Sequence, residues 1–367
     1  MTESRPPRRI ALAIFGLSPA GGLEQHCLRL AAELMRRGSA VTAVTTGAPQ
    51  SAPAGLAVET IARRGHTSHG RMAAFAADAG AAVAGRFDRT VAFHAIPGFD
   101  LVFCADPSRG RPGFWKSLLP RYRTFAALER AAFGPASPTR VLCLSSVQLE
   151  AIARNDAAAR ERLLLLPPTV DRLRIAAAPP DRDLARAGVP IWLWMGLQPG
   201  TKGLDRTLAA LARAPEARLL VCGLDPASPG GRAARRLARR LGVEARVRWL
   251  GFLADAEVPR TIAGADLLVH PARADVTGTV ILEAMAGGLP VIATGVCGYG
   301  EHVRNADAGV VLAEPFRARA LDEALARAGP DQRRRWSANG LAYAGRGDLC
   351  SGLERAADII LGAPAPA

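Results

Sequence analysis

The chain has 367 residues, of which 49% are hydrophobic and 22% are charged. It is therefore long enough for two domains, and its composition excludes a wholly disordered chain. The formal net charge is +14, and all but two of the 47 basic residues are arginine, the exceptions being Lys116 and Lys202. No uncharged apolar run reaches 18 residues, which argues against a membrane-spanning helix. The six cysteines are widely separated, so neither a zinc site nor a disulfide framework is indicated.

The first half of the chain alternates short apolar runs with amphipathic stretches. The basic start and the apolar run at 10–17 resemble a signal peptide, but the run leads into a Gly-Gly turn and a predicted helix, Gly22–Arg37. This order favours a buried first strand, Arg9–Phe15. The later predicted elements are the strands Ala40–Thr46, Arg89–Phe93, Leu101–Cys104 and Val141–Ser145 and the helix Arg71–Gly85. Such alternation predicts a parallel sheet with helices on both faces.

A Pro-, Ala- and Arg-rich connector, Pro167–Gly188, precedes a second series of strands and helices. The predicted strands of this series are Ile191–Met195, Arg218–Cys222, Val247–Leu250, Asp266–His270, Val291–Thr294 and Gly309–Leu312. We therefore predict an α/β protein with two doubly wound, Rossmann-like domains, 1–168 and 186–345. A C-terminal segment, 346–367, is expected to return to the first domain as a helix. Ligands of such folds bind at the carboxyl ends of the strands, and these ends could face each other across a cleft.

A glycine-rich turn at 18–24 joins the first predicted strand to the first helix. Gly21 and Gly22 would let the backbone approach a ligand, and the helix N-terminus could receive a phosphate. The turn is not G-x-G-x-x-G, and the second strand does not end in an acidic residue, which disfavours a nicotinamide-dependent dehydrogenase. A simple tight turn is the alternative.

The second glycine-rich turn, Gly200–Gly203, follows the first strand of the second domain and contains Thr201 and Lys202. A lysine is unusual in a chain whose basic residues are nearly all arginine. Its flexible ammonium group would suit a diphosphate as a compact point charge. The alternative is a solvated surface lysine.

Two acidic residues, Asp275 and Glu283, enclose a turn that leads into a predicted helix, Val280–Ala286. The turn consists of Thr277, Gly278 and Thr279. Exposed amides in this turn could bind phosphate oxygens, and Glu283 could accept hydrogen bonds from ribose hydroxyls. An ionised Glu283 among apolar neighbours would be costly unless paired or ligand-bound, which favours a binding role over a surface position.

These motifs together resemble glycosyltransferase family 4. The matching pieces are Gly21–Glu24, Thr201–Gly203, Asp275–Glu283 and Ala286–Ile292. The resemblance implies a retaining enzyme of GT-B fold that uses a nucleotide sugar and needs neither a metal nor another cofactor. Further matches at 66–71, 97–100, 121–123 and 297–299 resemble the branch that transfers glucose from UDP-glucose to a heptose of the lipopolysaccharide core.

The resemblance also implies roles for individual residues. Lys202 would neutralise the diphosphate and Asp275 would approach the donor sugar. The family usually has Arg where this chain has Thr201, and Glu where it has Asp275. The first difference removes a bidentate phosphate contact, and the second shortens the acidic side chain by about 1.5 Å. On the first domain, His94 and Asp100 are catalytic candidates predicted at the strand ends near the cleft, whereas His270 is expected to pack at a strand end.

The segment Pro107–Phe133 interleaves basic and aromatic residues. This pattern suits an anionic membrane interface, with a buried amphipathic segment as the equally weighted alternative. Nucleic acid would also suit the charge, but no recognition motif is present and none is expected as a partner. The expected partners are a nucleotide sugar, a lipopolysaccharide core acceptor and the cytoplasmic face of the inner membrane, on which the protein would be peripheral.

Three other functions remain open on the sequence. The chain could be a related transferase for a capsule or exopolysaccharide, or a sugar-nucleotide epimerase on the same architecture. It could also be a catalytically weakened binding protein at the membrane surface, because Thr201 and Asp275 depart from the family pattern.

Overall fold

A computed structural model describes residues 7–17, 22–47, 52–106, 108, 114–155, 157–171, 178–179 and 188–362. The chain divides into two compact units, Met1–Thr169 with Ser351–Ala367, and Val170–Cys350. We call them unit 1 and unit 2. No helix in the described ranges has both the length and the apolar character needed to cross a membrane.

Unit 1 contains a seven-stranded parallel sheet in the order β3-β2-β1-β4-β5-β6-β7. Its strands are β1 Arg9–Ala13, β2 Ala40–Thr45, β3 Ala57–Thr60, β4 Arg89–Ala92, β5 Leu101–Cys104, β6 Arg140–Cys143 and β7 Leu163–Leu165. The helices between them are α1 Gly22–Arg36, α2 Ser68–Val83, α3 Phe114–Ser117, α4 Pro120–Phe133 and α5 Ser146–Asn155. The central strands are buried on both faces, as expected of a parallel sheet covered by helices.

Unit 2 repeats this architecture with a six-stranded parallel sheet in the order β10-β9-β8-β11-β12-β13. Its strands are β8 Ile191–Met195, β9 Arg218–Cys222, β10 Val247–Gly251, β11 Leu267–His270, β12 Val291–Thr294 and β13 Gly309–Leu312. Its helices are α6 Leu204–Arg213, α7 Pro229–Arg240, α8 Glu257–Ala263, α9 Thr279–Ala286, α10 Gly300–Ala306, α11 Ala318–Arg327 and α12 Pro330–Ala344. The strand order places β8 beside β11, so the loops after these two strands leave the sheet side by side.

The last helix, α13 (Gly352–Leu361), belongs to unit 1 and packs against α1. Its residues Ala356, Ala357 and Ile360 are completely buried in the core that surrounds β1. An ion pair between Arg37, the residue just after α1, and Asp358 of α13 adds a contact at this end of the helix pair. The chain thus returns to its first sheet after completing unit 2, as the sequence predicted for the C-terminal helix.

Candidate active site

The turn after β8 holds Lys202 in a defined position. The Lys202 amide donates to the carbonyl of Gln198 (2.8 Å), and its carbonyl accepts a hydrogen bond from the Trp194 indole nitrogen (3.0 Å). Gly196 lies below the side chain, where a Cβ atom would be 3.1 Å from Lys202 Cγ. A glycine at this point therefore leaves space for the lysine stem.

Gly203 allows this turn to approach the loop that follows β11. Its φ is +72°, a left-handed conformation, and a Cβ atom there would lie 2.0 Å from the carbonyl oxygen of Pro271. Any other residue would therefore be strained and would also collide with backbone. Gly203 lies between Lys202 and the first residue of α6. Its close approach to Pro271 therefore holds Lys202 next to the loop that follows β11.

Lys202 and His270 converge on one carboxylate oxygen of Asp275. The Lys202 Nζ atom and the His270 Nε2 atom each lie 2.8 Å from Asp275 Oδ2. The exposed fractions of the three side chains are 24% for Lys202, 1% for His270 and 7% for Asp275. We call these residues the Lys–His–Asp cluster. Lys202 is the member that solvent, and therefore a ligand, can reach.

The members of the cluster are charged because the interactions among them outweigh the effect of burial on their pKa values. Burial alone would lower the pKa of His270, but its hydrogen bond to Asp275, its interaction with Cys297 and the negative charge of Asp275 raise that pKa to about 9. Burial would raise the pKa of Asp275, but His270 and Lys202 lower it to about 2. Counting Lys202, His270 and Asp275 alone, two protonated donors and one carboxylate leave a net charge of +1, which favours an anionic ligand.

Cys297 completes the surroundings of the cluster. Its thiol, the His270 imidazole and the Asp275 carboxylate lie within 4.8 Å of one another, and within the described residues they form a group that could hold a metal ion. The Lys202 ammonium already occupies Asp275 Oδ2 and would repel an approaching cation. Backbone hydrogen bonds from Gly298 to Asp275 (3.0 Å) and from Tyr299 to Thr277 (2.6 Å) join the loop after β12 to the loop after β11.

The turn before α9 presents the other predicted ligand-binding groups. Gly278 has a left-handed φ of +77° and precedes the helix, and among the described residues no side chain caps the first amides of α9. The helix begins at Thr279, one residue earlier than predicted. Glu283 is only 4% exposed, so the surface alternative for this acid is wrong. Thr201 accepts a backbone hydrogen bond from Arg273 (2.7 Å), which links it to the same loop.

Unit 1 brings His94 together with an acid that the sequence did not single out for a role. His94 follows β4, and its Nδ1 atom lies 3.4 Å from Asp106 Oδ2, just beyond β5. Both line a small cavity of about 20 Å³, with Cys104, Ser108 and Glu129 among the other walls. The expected position of His94 at the carboxyl end of its strand is therefore confirmed.

The predicted position of Asp100 at the same end is wrong. Asp100 precedes β5, and its Oδ2 atom accepts hydrogen bonds from the amide (2.8 Å) and hydroxyl (2.9 Å) of Thr90 at the start of β4. It therefore joins the amino ends of two parallel strands, at the opposite edge from His94. Gly22 is the first residue of α1, as predicted, and Gly21 lies outside the described residues.

Comparison with known proteins identifies the family. A family model described as "Glycosyl transferases group 1" matches residues 184–342. The chain is 34% identical to the lipopolysaccharide glucosyltransferase WaaG of Escherichia coli (strain K12), over 96% of this chain and 98% of that protein. The chain belongs to the group 1 glycosyl transferases. It is thus a nucleotide-sugar-dependent glycosyltransferase, and the matched segment contains the whole Lys–His–Asp cluster.

Two further similarities agree with this family. A crystal structure of WaaG, described as a glycosyltransferase involved in lipopolysaccharide biosynthesis, matches with a TM-score of 0.87 and 32% identity, over 96% of this chain and all of that one. A D-inositol 3-phosphate glycosyltransferase of Mycobacterium bovis is 29% identical over 83% of this chain and 72% of its own length. The predicted GT-B architecture of two Rossmann-like domains is confirmed.

The charges of this glycosyltransferase's cluster predict a pH dependence of stability. The folded-state pKa of His270, about 9, exceeds its ordinary value of 6.5, so its contribution is complete below about pH 6.5 and is lost as pH rises through about 9. For Asp275 the contribution is complete above 3.8 and is lost as pH falls through about 2. We expect the free energy of unfolding, measured by urea titration, to fall on the alkaline side.

The variant His270→Gln should lose this alkaline dependence, because glutamine does not titrate. His66→Gln, at an exposed position, is the matched control and should retain it. An identical alkaline profile for wild type and His270→Gln would contradict the charged state assigned to His270.

Proposed function

We propose that this glycosyltransferase transfers glucose from UDP-glucose to a heptose of the lipopolysaccharide inner core, with retention of the anomeric configuration. The observation that carries the proposal is the similarity to the WaaG glucosyltransferase along nearly the whole of both chains. The positively charged cluster in unit 2 supports it, because a nucleoside diphosphate needs a cationic partner. Residues 186–345 would bind the donor and residues 1–168 the acceptor.

The proposed mechanism rests on stabilisation of the departing diphosphate. Lys202 would neutralise the charge that develops as the bond between the sugar and the phosphate breaks, and no metal or other cofactor would be needed. The uncapped amides at Gly278 and Thr279 would bind phosphate oxygens. Glu283 would accept hydrogen bonds from the ribose, and Gly21, Gly22 and Thr201 would approach the donor through their backbone.

The acceptor hydroxyl would attack the anomeric carbon from the face that the diphosphate leaves. The carbon–oxygen bond to phosphate breaks with its electron pair on the leaving oxygen, which then takes the acceptor proton. The anomeric centre passes through an oxocarbenium-like state, and the new bond forms on the original face. His94, with Asp106 beside it, would contribute to this reaction from the acceptor side. The resemblance implies that Asp275 approaches the donor sugar; because its Oδ2 atom is paired with Lys202 and His270, we propose instead that it acts through Lys202.

The experiment that tests the proposal combines purified protein, a heptose-terminated core glycan and UDP-glucose, with the product analysed by mass. A gain of one hexose is expected, and UDP-galactose and UDP-N-acetylglucosamine should react more slowly. Absence of product with UDP-glucose would contradict the proposed donor. Transfer only to capsule or exopolysaccharide fragments would favour the related transferase, whereas an epimerised donor without transfer would favour the epimerase.

We also propose that the protein is peripheral on the cytoplasmic face of the inner membrane, where a lipid-linked acceptor is presented. The surface concerned is formed by α3 and the start of α4, residues 115–123, and we call it the α3–α4 surface. Trp115 is 79% exposed, and Leu118 and Leu119 are more than half exposed. Arg121 and Arg123 are exposed beside them. This exposure favours the membrane interpretation over a buried amphipathic segment.

The protein should bind anionic lipid vesicles in a salt-sensitive manner through the α3–α4 surface. Each basic residue near such a surface contributes about 1 kcal/mol, and salt screens this attraction. Trp115 and the leucines would add apolar insertion. Co-sedimentation should compare wild type with a variant that combines Trp115→Ser, Arg121→Glu and Arg123→Glu.

The control variant carries Arg236→Glu and Arg240→Glu, two exposed charge reversals on α7, a helix whose sequence contains no aromatic residue. We expect the α3–α4 variant to lose most of its binding and the α7 variant to retain most of it. Equal binding by all three proteins, or no binding by wild type at low salt, would contradict the membrane proposal.

A further inference from the structure

We propose that His270 is a positioning residue for sugar transfer: its imidazole holds the Asp275 carboxylate, which in turn orients the Lys202 ammonium toward the donor diphosphate. The identity of the ligand rests on the proposed function. The positioning itself rests on the shared contact of both donors with one oxygen of Asp275.

The chemistry of the three groups limits which member of the cluster can contact a diphosphate. The His270 Nε2 atom is already bonded to Asp275, and a carboxylate would repel a diphosphate, whereas the partly exposed Lys202 ammonium would attract it. His270 therefore acts on the reaction through Asp275 and Lys202. A buried imidazole in this position has no contact with substrate of its own.

The second donor changes the charge that Lys202 presents. If Asp275 had Lys202 as its sole partner, one carboxylate would neutralise one ammonium and leave little attraction for an anion. His270 supplies a second positive charge to the same carboxylate, so the cluster retains a net charge of +1 at its exposed member. Other charged and titratable groups nearby include the Cys297 thiol, the Arg273–Asp205 ion pair and Arg206, whose guanidinium donates to the carbonyls of Pro271 and Ala272.

The fold fixes the position of His270, and burial of its imidazole lowers the stability of the protein. It is the last residue of β11, which lies between β8 and β12, and Ala272 just beyond it accepts a hydrogen bond from Thr294 Oγ1 (2.7 Å). The His270 Nδ1 atom is buried and makes no hydrogen bond to the described part of the chain. An unsatisfied buried polar atom costs about 1–3 kcal/mol, so packing alone would favour an apolar residue here. The bond from Nε2 to Asp275 gives a reason for histidine.

Two variants separate positioning from packing. His270→Gln can still donate an N–H group to Asp275 but carries no charge, and His270→Leu fills the space without a donor. The measurements are the calorimetric affinity for UDP and for inorganic diphosphate, together with kcat and KM for the donor. We expect about tenfold weaker binding and at least a tenfold lower kcat for His270→Leu, with partial recovery in His270→Gln.

The pH dependence of diphosphate affinity gives a readout that a structural role would not change. Between about pH 7 and about pH 10, the affinity of wild type should fall more than that of folded His270→Gln, because only wild type loses the His270 proton, whereas ionisation of the ligand is common to both. If His270→Leu does not fold, the comparison of wild type with His270→Gln tests the positioning role. A folded His270→Leu with wild-type affinity and kcat, or an unchanged pH step in His270→Gln, would overturn the inference.

The two probes distinguish this inference from the proposed function. Wild type that binds inorganic diphosphate with the expected response to His270 variants, but transfers no glucose, would support the positioning role and contradict the proposed reaction. Glucose transfer at a rate that the His270 variants leave unchanged would support the proposed reaction and contradict the positioning role. Wild type that binds neither UDP nor diphosphate would contradict both.

Discussion

Lys202→Ala is expected to lower kcat by about a hundredfold or more, because removal of one group that stabilises developing negative charge commonly costs that much. Lys202 is the partly exposed member of a cluster with net positive charge, so its ammonium is the group available to the leaving diphosphate. The measurement is steady-state transfer with the donor that supports the reaction. The KM for the donor should rise less than kcat falls.

Two controls accompany this variant. Arg260→Ala removes an exposed positive charge from α8 in the same unit and should leave kcat close to wild type. Lys202→Arg retains a charge but not the compact ammonium geometry, so it should recover only part of the activity. A kcat for Lys202→Ala equal to that of Arg260→Ala would remove Lys202 from the mechanism.

Gly203→Ala is expected to damage both stability and activity. The new Cβ would lie 2.0 Å from the Pro271 carbonyl oxygen, in a left-handed conformation that costs other residues about 1–3 kcal/mol even without a collision. The turn after β8 would have to move away from the β11 loop, and Lys202 would lose its contact with Asp275. We expect a free energy of unfolding lower by more than about 2 kcal/mol and a clear loss of kcat.

Gly200→Ala is the matched control from the same turn. A Cβ at Gly200 meets nothing within 4 Å, and its backbone is not left-handed. Thermal unfolding and transfer assays on the pair therefore separate the close approach at Gly203 from a general effect of glycine replacement. If both variants were equally stable and active, the contact between the two loops would not determine the site.

The buried parallel strands were the most predictable part of the fold. Ile191–Met195 and Arg218–Cys222 have the bounds that the sequence predicted, because strands covered on both faces read as continuous apolar runs. The strands β3 and β7 were missed. Both are short edge strands with partly exposed residues, so their apolar pattern is weak.

The errors at the site have separate causes. Asp100 directly precedes the predicted strand Leu101–Cys104, so strand direction alone places it at the amino end, where it bonds to Thr90, and the prediction at the ligand-binding end overlooked this. His270 was expected only to pack, and packing and hydrogen bonding to Asp275 produce the same local sequence pattern. The donor-side contacts of Thr277 and Glu283 stay predictions.

By itself the sequence determined the chemical groups of the site: a rare lysine between glycines, and two acids around a Thr-Gly-Thr turn. These signals are local, because turns and helix starts depend on neighbouring residues. The tertiary structure alone decided that Lys202 and His270 share one oxygen of Asp275. That contact requires β8 to lie beside β11 and Gly203 to approach Pro271. Strand order and interloop packing depend on residues far apart in the chain, which no local pattern specifies.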